Sequence, residues 1–270
     1  MTLLLHVSDT HFGTERPEVA EGLVRLAQAQ MPDVIVLSGD ITQRATARQF
    51  AAARAFCERL GPAPLLAIPG NHDIPLYAVA TRLLRPYARH CAAFGDELEP
   101  SWEAPEMRIV ALNTTRPWRH QDGELSSAQI EHVATRFADA PAGQLRIAVV
   151  HQPLAALLAE DRANVLHGHA QAIRRWSAAG VDLVLGGHIH LPYVLPRHER
   201  DRALPNRLWV VQAGTAVSAR VRHEAGNSVN LVRTVAGGTP RQCRVERWDW
   251  QAARGAFELA AGHDLVAVRA

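Results

Sequence analysis

Val34-Ile35-Val36-Leu37-Ser38-Gly39-Asp40 and Leu65-Leu66-Ala67-Ile68-Pro69-Gly70-Asn71-His72-Asp73 decide how this chain folds. Each stretch is a short apolar run closed by glycine and followed by polar side chains. An apolar run of that length, bounded by turn formers, reads as a strand buried on both faces, as in a parallel sheet. Ligands meet such sheets at the C-terminal ends of the strands. Two adjacent strands therefore carry Asp40, Asn71, His72 and Asp73 to one place.

Outward from this pair the pattern recurs. Residues 3–8 read as a strand leading into Asp9-Thr10-His11. Residues 145–150 lead into His151-Gln152-Pro153, and 181–185 into Gly186-Gly187-His188-Ile189-His190. Residues 107–113 form a further strand. Helices are expected over 18–30, with Pro17 in the first turn and Val19, Leu23 and Leu26 as an apolar stripe. Others are expected over 46–60, 76–94 and 170–179, and from the capping box Ser126-x-x-Gln129 to Phe137. Strands alternating with helices mean βαβ units and a parallel sheet.

After His190 the character changes. Segments 208–212, 228–235, 243–250 and 256–260 are short, β-prone and separated by Gly, Pro or Asn, and are expected to pair antiparallel. No linker or low-complexity segment divides the chain. It reads as one domain over residues 1–270, with an α/β portion over 1–190 and a mostly β portion over 191–270 that completes a second sheet.

Composition narrows the class. The chain has 270 residues, 47% of them hydrophobic, enough for a full core and too many for disorder. A formal net charge of +2 is too small to argue for nucleic acid or an anionic membrane as partner. All 29 basic residues are Arg, which reads as codon usage in a GC-rich bacterium. Cys57, Cys91 and Cys243 are widely spaced and odd in number, which fits a reducing, cytoplasmic setting. No stretch approaches a transmembrane length, and Leu3-Leu4-Leu5 is too short for a signal peptide.

Five polar clusters stand at expected strand ends: Asp9 with His11; Asp40; Asn71, His72 and Asp73; His151; His188 with His190. Carboxylate, imidazole and amide together suit Mn, Fe or Zn, and the absence of thiolate argues against a structural zinc. The candidates are too many for one ion and about right for two. Two cations a few ångströms apart need a bridging anion, and Asp40 is the natural bridge.

These residues resemble the calcineurin-like metallophosphoesterase family, whose pattern runs D-x-H, G-D, G-N-H-[D/E], H, G-H-x-H. Here stand Asp9-Thr10-His11, Gly39-Asp40, Gly70-Asn71-His72-Asp73, His151 and Gly187-His188-Ile189-His190, in that order. The resemblance implies a four-layer α/β/β/α sandwich with two facing mixed sheets and two divalent ions at one rim. Asp9, His11, Asp40 and His190 would hold the first ion; Asp40, Asn71, His151 and His188 the second. A hydroxide bridging the ions would attack a phosphodiester or phosphomonoester in line. His72 would stand beside the phosphate, stabilising charge or protonating the leaving oxygen. Asp73 would either orient His72 or cap the following helix.

The run Gly39-Asp40-Ile41-Thr42 with Gly70-Asn71-His72-Asp73-Ile74-Pro75 looks most like bacterial class III cyclic-nucleotide phosphodiesterases. It lacks the continuation of the protein Ser/Thr phosphatases. A cyclic nucleotide or another small phosphate ester is therefore the expected substrate. A UDP-diacylglucosamine-type pyrophosphohydrolase, a phosphomonoesterase and a nuclease of the same family stay open. A non-enzymatic scaffold is disfavoured because every motif residue is present. The oligomeric state, a homodimer among the options, is not legible from sequence.

The polar loop 114–124 carries Arg116, Trp118, Arg119 and His120, an aromatic among cations that suits a base plus a phosphate. Trp118 covering core in a solvated loop is the alternative. His167 and His169 imitate a ligand pair but fall outside the family pattern. His6, His90, His132, His198, His223 and His263 read as packed or solvated.

Overall fold

The computed structural model describes residues 1–222, 225–235 and 241–267; His223 lies outside them. In chain order the elements are β1 (Leu3–Val7), α1 (Pro17–Gln30), β2 (Val34–Ser38), α2 (Ala47–Arg59), β3 (Leu65–Ile68), α3 (Val79–Leu84), α4 (Ala88–Phe94), β4 (Ser101–Ala104), β5 (Met107–Ala111) and α5 (Ser127–Ala138). There follow β6 (Leu145–Val149), α6 (His169–Ala178), β7 (Leu183–Gly186), β8 (Tyr193–Pro196), β9 (Trp209–Gln212), β10 (Ser228–Thr234), β11 (Gln242–Gln251) and β12 (Ala256–Val266).

Two six-stranded mixed sheets face one another, in the orders β12-β11-β10-β1-β2-β3 and β4-β5-β6-β7-β9-β8. Side chains alternate across each strand and so sort into three cores. Leu4, Val34, Val36 and Ile68 of the first sheet meet Met107, Ile109, Ile147 and Leu185 of the second between the sheets. Leu5, Val7, Ile35 and Leu37 point the other way, onto Leu23 and Leu26 of α1 and Ala53 and Phe56 of α2. Val110, Ala148 and Val184 likewise meet Ile130 and Phe137 of α5 and Ile173 and Trp176 of α6. The result is the four-layer α/β/β/α sandwich.

Helix starts follow local chemistry. In α5, Ser126 Oγ accepts from Gln129 N at 3.2 Å, while Gln129 Oε1 accepts from Ser126 N at 3.0 Å. Both halves of the expected capping box are formed, satisfying two otherwise orphaned backbone donors. The helical stretch expected over 76–94 is instead two short helices, α3 and α4. Pro86 has no N–H and forces Arg85 off helical geometry, to φ −146° and ψ 60°. β4, which sequence patterning did not reveal, is a half-exposed edge strand antiparallel to β5.

The C-terminal strands require a correction. They do not together complete the second sheet. β9 joins that sheet parallel to β7, and β8 pairs antiparallel with β9 at its edge. β10, β11 and β12 extend the first sheet, with β10 antiparallel to β1. The reason lies in β10, which is apolar on both faces: Val229 and Leu231 enter the helix-side core and Val232 the inter-sheet core. Such a strand belongs inside a sheet, and the open side of β1 accepts it.

Candidate metal centre

Every motif cluster stands just past the C-terminal end of a strand: Asp9 and His11 after β1, Asp40 after β2, Asn71 and His72 after β3, His151 after β6, His188 and His190 after β7. The loops are sewn to one another by backbone. Asp9 N donates to Gly39 O at 3.1 Å, and His11 N to Asp40 O at 3.0 Å. His188 N donates to the Asp9 carboxylate at 2.9 Å, and His72 N to Asp40 Oδ1 at 2.8 Å.

The backbone bends sharply to do this. Asp9, His11, Asp40, His188 and His190 all have positive φ, from 41° to 72°. Non-glycine residues are rarely found in this region, and such strain gathers at functional sites. Asp9 and His11 are therefore not on an extended segment with both side chains on one face; left-handed turns aim them. Residues 71–73 are likewise one turn of 3₁₀ helix.

Two motif glycines are explained by close approach. A Cβ on Gly70 would lie 2.3 Å from Asp40 Oδ1, and one on Gly187 would lie 2.3 Å from Asp9 Oδ2. The glycines are the space into which another loop's carboxylate fits.

The side chains converge in three overlapping groups, of which His11, Asp40 and His72 form the one that links the other two. The ligand atoms of Asp9, His11 and His190 lie within 4.8 Å of one another, as do those of Asp40, His151 and His188. Asp40 faces both groups: its Oδ2 is 3.7 Å from His11 Nε2 and its Oδ1 is 3.3 Å from His151 Nε2. His11 Nε2 and His190 Nε2 face each other at 3.1 Å.

These residues fit cations. His188 Nδ1 and Asn71 Oδ1 are buried without a hydrogen-bond partner, an arrangement costly for polar atoms unless something else meets their lone pairs. The far nitrogens of two rings are already engaged: His151 Nδ1 donates to Ser38 O at 2.8 Å and His190 Nδ1 to Arg220 O at 2.6 Å. That fixes the tautomer with Nε2 free to bind a metal.

The titration behaviour describes a site short of positive charge. Burial opposes ionisation of Asp9, yet His190 and His151 hold its carboxyl below the usual range. Burial likewise opposes ionisation of Asp40, and His151, His72 and His11 hold it well below. Burial also opposes charge on His151, but Asp40 outweighs it and holds the ring up to about 9. Burial pushes His11 down to about 3 and His188 to about 4, so both rings keep lone pairs for a cation.

Asp73 has a different place from the one expected. Its carboxylate does not touch the His72 ring. Oδ1 accepts from Thr42 N and Thr42 Oγ1, each at 2.8 Å, and Oδ2 from Gly70 N at 2.9 Å and Ile41 N at 3.0 Å. It pins the β2 loop to the β3 loop and does neither of the two jobs proposed for it. His72 is oriented instead by the Gln43 carbonyl, 3.1 Å from Nδ1.

The loop 114–124 divides. Arg116 turns inward, donating to Asn113 O, Thr115 O and Gln129 Oε1, so its guanidinium is taken up by the scaffold. Trp118 is 71% exposed and covers no core. His120 lines a pocket beside His72, with Gln43, Arg44, Asn71, Leu76 and Arg82. His167 and His169 belong to none of the ligand groups: His167 Nε2 lies 3.5 Å from Asp122, and His169 Nδ1 donates to Leu166 O. Arg220, which sequence reasoning missed, reaches His72 Nε2 at 3.1 Å. No local signal marks it among so many arginines.

The model of the calcineurin-like phosphoesterase family matches residues 2–192, and the chain belongs to that family. The family is dimetal-dependent, and the chain is a metal-dependent phosphoester hydrolase. A probable cyclic nucleotide phosphodiesterase of Synechococcus is 27% identical over 73% of this chain and 77% of its own length. The 3′,5′-cyclic adenosine monophosphate phosphodiesterase of Escherichia coli is 25% identical over 72% of this chain and 68% of its own. A dimetal phosphatase from Danio rerio, 12% identical, superposes with a TM-score of 0.68 over 99% of both chains and shows the same fold. Among the described residues no helix is long and apolar enough to cross a membrane.

Proposed function

We propose that this chain hydrolyses a small phosphodiester, a cyclic nucleotide in the first place, at a site holding two divalent ions. The observation that carries the reading is Asp40 standing between the donor group of Asp9, His11 and His190 and its own group with His151 and His188, its two oxygens facing His11 and His151 separately. Asp9, His11, His190 and Asp40 hold one ion; Asp40, Asn71, His151 and His188 hold the other. Mn, Fe and Zn all suit this donor set. The substrate class draws on the cyclic nucleotide phosphodiesterases among the relatives.

Two ions so held lower the pKa of bound water and neutralise phosphoryl oxygens. The remaining work belongs to the chain. Asp40 and Asp9 are buried anions that keep the cations close, and the loop hydrogen bonds fix them before substrate arrives. His72 is not a ligand. Its Nδ1 proton is committed to Gln43 O, so Nε2 is the atom that faces the phosphate or leaving oxygen, and it donates there only when the ring carries a second proton. His120, Arg44 and Arg82 line the adjoining pocket and suit the rest of a nucleotide.

Purified protein assayed with manganese against 3′,5′-cyclic AMP, bis-p-nitrophenyl phosphate, p-nitrophenyl phosphate and a UDP-sugar, alongside metal analysis, tests this. A diester should be the best substrate, and two ions should be found per chain. Faster turnover of the monoester or the pyrophosphate would replace the substrate class; a single ion would remove the shared role of Asp40.

A further inference from the structure

Arg220 lies between β9 and β10, beyond the residues that the family model matches. We propose that it is a substrate-binding residue that clamps the non-bridging oxygens of the phosphoryl group. The proposal rests on the phosphoesterase reading and deepens it.

Its guanidinium stands at the mouth of the centre. Nη1 is 3.1 Å from His72 Nε2, 3.2 Å from Gln43 Oε1 and 3.4 Å from His11 Nδ1. None of the three partners is a carboxylate, and among the described residues the guanidinium makes no ion pair with one. Arginines elsewhere on this protein commonly have one: Arg59 pairs with Glu21 and Arg108 with Glu103. A cation kept beside a reaction centre without a fixed anion is available to an anion that comes and goes.

The loop that carries Arg220 is built into the centre. Its carbonyl accepts from His190 Nδ1, and its N–H donates to Ser218 Oγ at 3.2 Å. Ser218 Oγ is 2.7 Å from Thr215 Oγ1, which donates to Asp9 O at 2.6 Å. Asn227 Nδ2 holds the turn through Ser218 O at 2.8 Å. The backbone of Arg220 is thus fixed relative to two candidate ligands, while its side chain reaches past them to His72.

Elementary chemistry then directs the guanidinium. The Gln43 carbonyl can only accept, so His72 Nδ1 carries the proton and Nε2 presents a lone pair to Arg220. A His11 whose Nε2 binds a cation carries its proton on Nδ1 and has no acceptor left for Nη1. With the centre loaded, Arg220 loses that contact, and its planar fork matches two phosphoryl oxygens. The class of ligand is a phosphate ester or its product, orthophosphate. Arg220 and His72 would flank the same phosphoryl group.

The test uses the full chain loaded with manganese, as wild type, Arg220→Gln and Arg220→Lys. Inorganic phosphate binding is measured by calorimetry, metal content by mass spectrometry, and kcat/KM on the best diester. Arg220→Gln should keep both ions, bind orthophosphate about 10–100-fold more weakly and lose about 10²–10³-fold in kcat/KM. Arg220→Lys should recover part of both, since it restores charge without the fork. Phosphate affinity and kcat/KM both within about threefold of wild type in the Gln variant would overturn the proposal. So would loss of an ion in both variants, which would make Arg220 a support for His190 instead. The phosphate titration stands even if none of the tested esters is turned over, so a wrong substrate and a wrong role for Arg220 give different results.

Discussion

Asp9, His11, Asp40, His188 and His190 are held in left-handed backbone on one side of the cleft. On the other side stand residues 74–84 and the loop around Trp118 and His120, with no positive φ among them. Asp9, His11 and Asp40 are buried, whereas Tyr77 and Leu84 are 79% and 80% exposed. The ligand side is tied together by backbone and carboxylate hydrogen bonds between five loops. Side-chain contacts from residues 74–84 are few: Arg82 donates to Pro75 O at 3.4 Å and to Arg119 O at 2.6 Å, and Arg44 lies over the Tyr77 ring. Charges that must hold cations need fixed positions, and the strain is balanced by the surrounding packing. A surface that admits the variable part of a substrate needs no such rigidity.

Substitutions on the two sides should therefore differ in kind as well as in size. Asp40→Asn should have the largest effect, with loss of at least one ion per chain and about 10³-fold or more of the rate, beyond one lost electrostatic stabiliser. Two ions bound at wild-type affinity would break the distinction at its centre. His72→Ala should keep both ions and lose about 10²–10⁴-fold, with the smaller loss on a p-nitrophenyl ester, whose leaving group needs less protonation. Equal loss on good and poor leaving groups would assign His72 to charge stabilisation alone.

Asp73→Asn sharpens the comparison from beneath the site. Both carboxylate oxygens accept from backbone N–H groups, so an amide must aim its own NH₂ at one of those donors. The β2 and β3 loops should loosen, with about 10–100-fold loss of metal affinity or activity and faster amide exchange at Ile41, Thr42 and Gly70. Unchanged exchange would show that the loops are held by other means. Trp118→Ala should be the mildest, raising KM several-fold, roughly 0.5–1.5 kcal/mol of contact, for a nucleotide while sparing a generic ester. Equal effects on both substrates would take Trp118 out of the binding wall.

The ligand side was legible in sequence and the wall was not, for a reason visible in particular residues. Gly39-Asp40 and Gly187-His188-Ile189-His190 combine an apolar strand, a glycine that leaves room and a polar donor, all within a few residues. Arg116, Trp118 and His120 share only a loop, and nothing local says that Arg116 folds back onto Gln129 while His120 faces the pocket. Asp73 was read with its neighbour His72, but its partners Ile41 and Thr42 lie on another strand's loop.

Through its family resemblance the sequence implied the sandwich; by itself it determined the strands that end at the rim and the polar residues each one delivers there. These depend on burial and on the period of two, which are properties of short segments. Only the tertiary structure decided that β10 pairs with β1 and not with the second sheet. With that pairing, the loop carrying Arg220 comes to lie over the centre, and a guanidinium meets His72 across 148 residues of chain. Strand order is settled by which apolar faces can be buried together, a condition on the whole core that no single segment contains.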